Sequence, residues 1–475
     1  MTVAPVAPTS ALHTPPALPI DVAVGQMVVA GFGGNVITPG LRHLILDDKV
    51  GGVILFTANC GCSADGLGQL VDQLRQLGRD AALPAPLLVT IDQEGGTASR
   101  AGGGIAPLPD AFDLGRQGAA AVTTAVSRTA GGLASAGVTL DLAPVADLRT
   151  NPDDAVIGDR SFGSDPARVG PLVAAYIEGL HQGGVASTVK HFPGLGGAPG
   201  NPHNAIATDP VTMDTWMRGS AQSFAAGIAA GTDAVMTTAV YVPGLDAGRT
   251  PAMLSRPVVT GLLRQRLRFS GVIVTDSLSL GGLQAVMPMP QSIVAAAAAG
   301  NDLLLLANSD TTLEDRSVAA LQQAVASGTV SPAAVEDSAQ RVISLRMRYP
   351  SRQAPAGRRL SPTTGRALRI DSPEAHCRRG GRGLVVHDEA LCRRQLRAAR
   401  ELTNRSHHRS LRSSAGRGAR GCQRLGLGDG GAVPPLLGSM AGDRADRHIR
   451  AHLPDDLLRP AHSAQGRCRH AGEAR

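Results

Sequence analysis

The chain has 475 residues, 43% of them hydrophobic. That is enough for two to four average domains or one large barrel with additions, and it excludes a wholly disordered protein. The net charge of +7 is unevenly held: residues 351–475 carry 25 of the 46 Lys and Arg but 11 of the 39 Asp and Glu, leaving residues 1–350 at −7. A nucleic-acid-binding role could therefore rest only on the tail. No run of 18 apolar residues is present to span a membrane.

The first 23 residues read as a Pro/Ala-rich linker, most clearly from Val3 to Pro19. They lack the charged region followed by an apolar region that marks a signal peptide. The expected compartment is cytoplasmic as the sequence stands, and secreted or lipid-anchored if translation starts upstream. From residue 24 short apolar, β-branched runs alternate with longer Ala/Leu-rich segments. Eight strands are expected: Gly25–Phe32, Val50–Phe56, Pro86–Asp92, Val138–Val145, Ala186–His191, Asp233–Ala239, Gly271–Asp276 and Asn301–Leu306. They are apolar throughout, as strands buried on both faces of a parallel sheet are. Between them, Ser63–Gly78 sets Leu67, Leu70, Val71, Leu74 and Leu77 on one helical face. Asp165–Gly183, Thr212–Ala230 and Leu254–Leu267 read the same way. The pattern predicts an α/β chain, a TIM (β/α)8 barrel over residues 24–350, with a doubly wound open sheet as the competitor.

Cys60 and Cys62 stand too close for an ordinary disulfide, and no further metal ligands lie near, so two loop thiols are expected. After Pro350 the character changes. Residues 351–475 contain no Phe, Trp, Tyr or Lys, and Arg, Ala, Gly and Ser dominate without a period. This segment reads as an atypical Arg-rich tail, either disordered or translated out of frame from GC-rich DNA.

Asp92, Asp147, Lys190, His191 and Asp276 all fall at or just beyond the C-terminal ends of expected strands, the face on which barrels carry their chemistry. Gly271–Asp276 is an apolar strand delivering one carboxylate; taken alone, such an Asp is more often a helix cap. In Lys190-His-Phe-Pro-Gly-Leu-Gly196 a cation and an imidazole precede a Pro/Gly loop, a pair suited to neutral hydroxyl ligands. Asp92-Gln-Glu-Gly-Gly96 has the same form.

Together these segments resemble glycoside hydrolase family 3, especially its bacterial β-N-acetylglucosaminidases. The matching stretches are IDQEGG (91–96), DLAPVADL (141–148), IGDRSFGSDP (157–166), VKHFPGLG (189–196) and GVIVTDSL (271–278), in the family's order and spacing. The resemblance covers residues 24–350 and none of the tail. It implies a barrel domain and a retaining mechanism with Asp276 as nucleophile. It also implies sugar contacts from Asp92, Arg160, Lys190 and His191, and no metal or organic cofactor. Asp147 is expected to serve a structural role.

One departure stands out. In the acetylglucosaminidases a loop after the KHFPG segment carries an Asp-x-His dyad, the histidine acting as acid/base. Here the stretch reads Gly197-Ala-Pro-Gly-Asn201-Pro202-His203, so His203 remains but Asn201 stands at the aspartate's place. Asp209 is the nearest other carboxylate. The expected function is an exo-acting, retaining β-N-acetylglucosaminidase on cell-wall-derived or related amino sugars, with a carbohydrate as partner and no nucleic acid. The rivals are a β-glucosidase, a glycoside phosphorylase and a catalytically weakened sugar-binding homologue. Oligomeric state is not legible.

Overall fold

The structure, a computed structural model, describes residues 18–60, 64–151, 156–201 and 204–349. Cys62, His203, residues 1–17 of the expected linker and the tail at 351–475 lie outside the described residues.

The eight expected strands all form, each shorter than its apolar run: β1 (Val28–Ala30), β2 (Gly52–Leu55), β3 (Leu88–Ile91), β6 (Leu140–Asp141), β7 (Thr188–Phe192), β8 (Ala234–Thr237), β9 (Val272–Thr275) and β10 (Leu304–Leu305). Two strands not expected, β4 (Gln93–Gly95) and β5 (Ala98–Ser99), form an antiparallel hairpin after β3. The other ladders are all parallel, ordered β10-β1-β2-β3-β6 and β7-β8-β9. Single-residue parallel bridges, Leu140 with Ala186 and Val274 with Leu303, lie across the two gaps. The chain is thus an α/β fold with a curled parallel sheet. Within each sheet neighbouring strands follow chain order, except that β10, the last, lies beside β1, the first.

The strands are mostly apolar because they are buried on both faces, the exceptions including Asp141 in β6 and Lys190 and His191 in β7. In β8 Ala234 and Met236 belong to one apolar cluster and Val235 to another; in β9 Val272 and Val274 are separated from Ile273 in the same way. This is the period of two expected of a strand, with both faces dry. Burying each such Val, Ile or Leu is worth about 1.5–3 kcal/mol.

The expected helix over Ser63–Gly78 is present as Ala64–Asp80. Pro166–Gly183 is capped by the Asp165 side chain, which accepts from the Ala167 N–H, and it ends at Gly184 in the left-handed region. The expected helix over Thr212–Ala230 is broken: Met213–Arg218 and Ser220–Ala229 meet at Gly219, whose φ of −115° and ψ of −108° are not helical. Pro257–Arg266 winds as a π-helix. The first helix, Ile20–Gln26, starts inside the segment read as linker. No helix among the described residues is long and apolar enough to cross a membrane.

The helix Pro332–Arg348 packs at the N-terminal ends of the strands. Its buried Arg346 donates to Pro86 O at 2.7 Å and also reaches Ala85 O and Gln26. Tyr349 Oη donates to Asp233 Oδ2 at 3.0 Å. These contacts leave the opposite, C-terminal ends of the strands for the site.

Candidate active site

A cavity of about 310 Å3 opens at the C-terminal strand ends, with Asp92, Glu94, Arg160, Lys190, His191 and Asp276 in its walls. All five cavity residues singled out in the sequence converge here, from segments up to 184 positions apart. Asp92 directly follows β3, and Asp276 directly follows β9. Lys190 and His191 are consecutive in β7, where the ladder register shifts between Val189 and Phe192, and both face the cavity. Arg160 closes the short 3-10 turn Gly158–Arg160.

Four of these side chains form one ion-pair network. Lys190 Nζ lies 2.6 Å from Asp92 Oδ1 and 2.6 Å from Glu94 Oε1. Arg160 grips Glu94 with both prongs, Nε to Oε2 at 2.6 Å and Nη2 to Oε1 at 2.8 Å. Burial works to raise the Glu94 carboxyl, but Lys190, Arg160 and His191 outweigh it and hold it well below the carboxylate range. Burial likewise opposes the charge on Lys190, yet Asp92 and Glu94 raise its affinity for the proton. The network thus sets two cationic side chains against two carboxylic side chains, and their formal charges cancel. Their value is geometric, since a buried, mutually bonded network holds its donors in fixed directions.

His191 is oriented from behind. Wholly buried Asp147 accepts from the His191 backbone N–H at 3.1 Å and from Nδ1 at 2.6 Å, and its other oxygen accepts from the Leu195 N–H at 2.7 Å. The carboxylate turns Nδ1 towards itself and leaves Nε2 facing Arg160, 3.4 Å from its Nη2. Beneath the network lies Asp141, whose Oδ1 accepts from the Gln93 N–H at 2.9 Å. Burial pushes the Asp141 carboxyl up to about 8.

Asp276 differs from its neighbours. Its Oδ2 accepts from Thr238 Oγ1 at 2.8 Å and its Oδ1 from the Ser277 N–H at 2.7 Å. Its own N–H is held by Thr237 O, the last residue of β8, at 2.7 Å. Among the described residues it is the one cavity carboxylate without a salt bridge.

Sequence reasoning missed Glu94, Thr238 and Arg100. Glu94 lies within the quoted DQEGG segment, and the signal overlooked was the alternation that sends positions 92 and 94 to one side. Arg100 lines the cavity, and its Nε has no hydrogen-bond partner among the described residues. Nothing local marks Thr238, which reaches Asp276 only because β8 and β9 are neighbours. Asn201 is exposed, its carbonyl accepting from the Asn204 N–H at 2.9 Å. Asp209 is half-buried, bonds the Val211 N–H at 3.0 Å and does not line the cavity; burial raises its carboxyl. Cys60 is buried as a free thiol, which burial pushes up to about 11, so it is not a nucleophile at neutral pH.

The profile of the glycosyl hydrolase family 3 N terminal domain matches residues 19–345. The chain belongs to glycoside hydrolase family 3. As a member it is a glycoside hydrolase acting on O-glycosyl bonds. A β-hexosaminidase of Xylella fastidiosa (strain M23) is 34% identical over 287 residues, 59% of this chain and 83% of the relative. Among solved structures, a family 3 β-N-acetylglucosaminidase from Paenibacillus sp. str. FPU-7 aligns with a TM-score of 0.69 at 32% identity, over 80% of this chain and 68% of its own. A β-N-acetylhexosaminidase from Beutenbergia cavernae DSM 12333 aligns with a TM-score of 0.65 at 33% identity, over 70% of this chain and 99% of its own.

Proposed function

We propose that this family 3 enzyme is a retaining exo-β-N-acetylglucosaminidase whose nucleophile is Asp276. The observation that carries the reading is the contrast among the cavity carboxylates. Asp92 and Glu94 are tied to cations, whereas Asp276 is held by two neutral donors and has no cationic partner among the described residues, which leaves its oxygens for a developing oxocarbenium ion and then for the anomeric carbon. The names of the similar relatives support the choice of glycone. A cavity of about 310 Å3 suits one terminal sugar rather than a bound chain, which supports exo action.

In this reading Asp92, Arg160, Lys190 and His191 hold the sugar's hydroxyls, and Arg100 adds a donor. The network's near-neutral sum favours an uncharged glycone. The two bridges across the sheet gaps support a complete eight-stranded barrel over residues 24–350. The acid/base assignment to His203 rests on the sequence resemblance alone.

Hydrolysis of a panel of nitrophenyl glycosides tests the function. The β-N-acetylglucosaminide is expected to be the best substrate, and a fluorinated slow substrate is expected to label Asp276. Preference for the β-glucoside, or release of sugar 1-phosphate in phosphate buffer, would replace this reading with one of its rivals. Labelling of another carboxylate would remove the nucleophile assignment.

A further inference from the structure

Gln93 stands between Asp92 and Glu94 in the chain, but unlike them it does not line the cavity. It is buried. Its N–H donates to Asp141 Oδ1 at 2.9 Å, and its carbonyl accepts from Tyr176 Oη at 2.9 Å. Its side-chain Oε1 accepts from the backbone N–H groups of Arg100 and Ala101, each at 2.9 Å. We propose that Gln93 is a positioning residue for the hydrolase: its carboxamide holds the turn after β5 and so aims the Arg100 guanidinium at the sugar. The inference rests on the cavity being the glycone site, and it deepens that reading by naming a residue that acts on the sugar only through another.

Arg100 needs such a hold. Lys190 is fixed by Asp92 and Glu94, and Arg160 by Glu94. Arg100 lines the same cavity, yet among the described residues it makes no salt bridge, and its buried Nε has no hydrogen-bond partner. A guanidinium in that state is a fork of donors left for sugar hydroxyls. Its direction is set by the backbone from which it grows.

That backbone is held by Gln93. In the hairpin Gln93 stands opposite Ser99, and the ladder slips between Gln93 and Gly95, an irregularity of the kind that re-aims side chains beside active sites. β5 spans only Ala98–Ser99, so the ladder stops just before Arg100. From there the carboxamide oxygen takes over, accepting from the next two amides. Asp141 and Tyr176 clamp the Gln93 backbone, so the carboxamide reaches out from a fixed point. Without that acceptor the two amides would lose their partner and the turn would relax. A displacement of about 1 Å at a group that holds substrate is enough to lower turnover strongly.

The test is steady-state hydrolysis of 4-nitrophenyl β-N-acetylglucosaminide by the full-length enzyme, in a double-mutant cycle of Gln93→Met, Arg100→Met and the two together. Gln93→Met keeps the length of the side chain and removes the acceptor. It is expected to lower kcat/KM about tenfold, as loss of one charged hydrogen bond to the sugar would, chiefly by raising KM. In the Arg100→Met background it is expected to cost almost nothing further. Gln93→Asn, too short to reach the turn, is expected to behave alike and takes the place of Gln93→Met if that variant does not fold. Losses that multiply across the cycle would overturn the inference and leave the glycone site in place. So would a fall in kcat at unchanged KM, the mark of a smaller folded fraction, or a wild-type KM in Arg100→Met. A wild-type enzyme that does not hydrolyse this glycoside would instead overturn the proposed function, and the inference with it.

Discussion

Asp276 and the donors around it set what single residues are expected to do. Asp276→Asn keeps the shape and the Ser277 contact but replaces the anion with a poor nucleophile, so turnover is expected to be lost while the unfolding midpoint stays near that of the wild type. Thr238→Val is nearly isosteric and removes the hydroxyl that is bonded to Asp276. Its kcat/KM is expected to fall about tenfold, and Thr238→Ser is expected to recover most of it; equal losses in Val and Ser would mean that packing, not the hydrogen bond, matters. If His203 handles the proton, a carboxylate at position 201 would stabilise its imidazolium. Asn201→Asp is then expected to speed alkyl glycosides more than nitrophenyl glycosides, which barely need an acid. Equal effects on both classes would point to another donor. The meeting of Asp92, Lys190, His191 and Asp276 in one cavity was legible because each sits at a strand end in a distinctive local string. Glu94 and Thr238 were not, because their partners Arg160 and Asp276 stand 66 and 38 positions away.

The helix Thr311–Ala326 shows how an element steadies the catalytic end. Asp310 caps it through the Thr312 and Leu313 N–H groups, and from its first turn Glu314 reaches the loops after β1 and β10. Glu314 Oε1 accepts from the Gly31 N–H at 2.8 Å and from the Asn308 N–H at 3.1 Å, directly beside Ala307 in the cavity wall. Burial pushes its carboxyl up from 4.5 to about 8. Between those values the unfolded chain has lost the proton that the folded protein keeps, so this residue makes stability fall as pH rises across the window. Glu314→Gln keeps the acceptor and removes the titration. Its urea midpoint is expected to fall less than that of the wild type between pH 5 and pH 8; parallel profiles would show that Glu314 does not titrate there. At the other end of the strands, Arg346→Met would leave Ala85 O and Pro86 O without their donor. A loss of about 3 kcal/mol in urea unfolding is expected, with kcat/KM of the folded enzyme little changed. The helix over 64–80 was readable from its leucine spacing, whereas the break at Gly219 was not, because apolar residues continue through it.

For the whole molecule, the described core runs from Ala23 to Leu345, and the profile of the family ends at residue 345. Residues 360–475 have no aromatic side chain to bury, so their deletion is expected to leave the melting temperature almost unchanged; a large drop would mean that they contribute to the folded unit. By itself the sequence determined the alternation of strands and helices, the family, and the strand ends whose polar residues meet in one cavity, because periodicity, turns and short motifs are local properties of the chain. Only the tertiary structure decided how the charges pair. Lys190 meets Asp92 across 98 positions, and Arg160 meets Glu94 across 66, because parallel pairing sets strand ends from distant segments side by side. Those contacts depend on which strands are neighbours and at what register, and no local string encodes either.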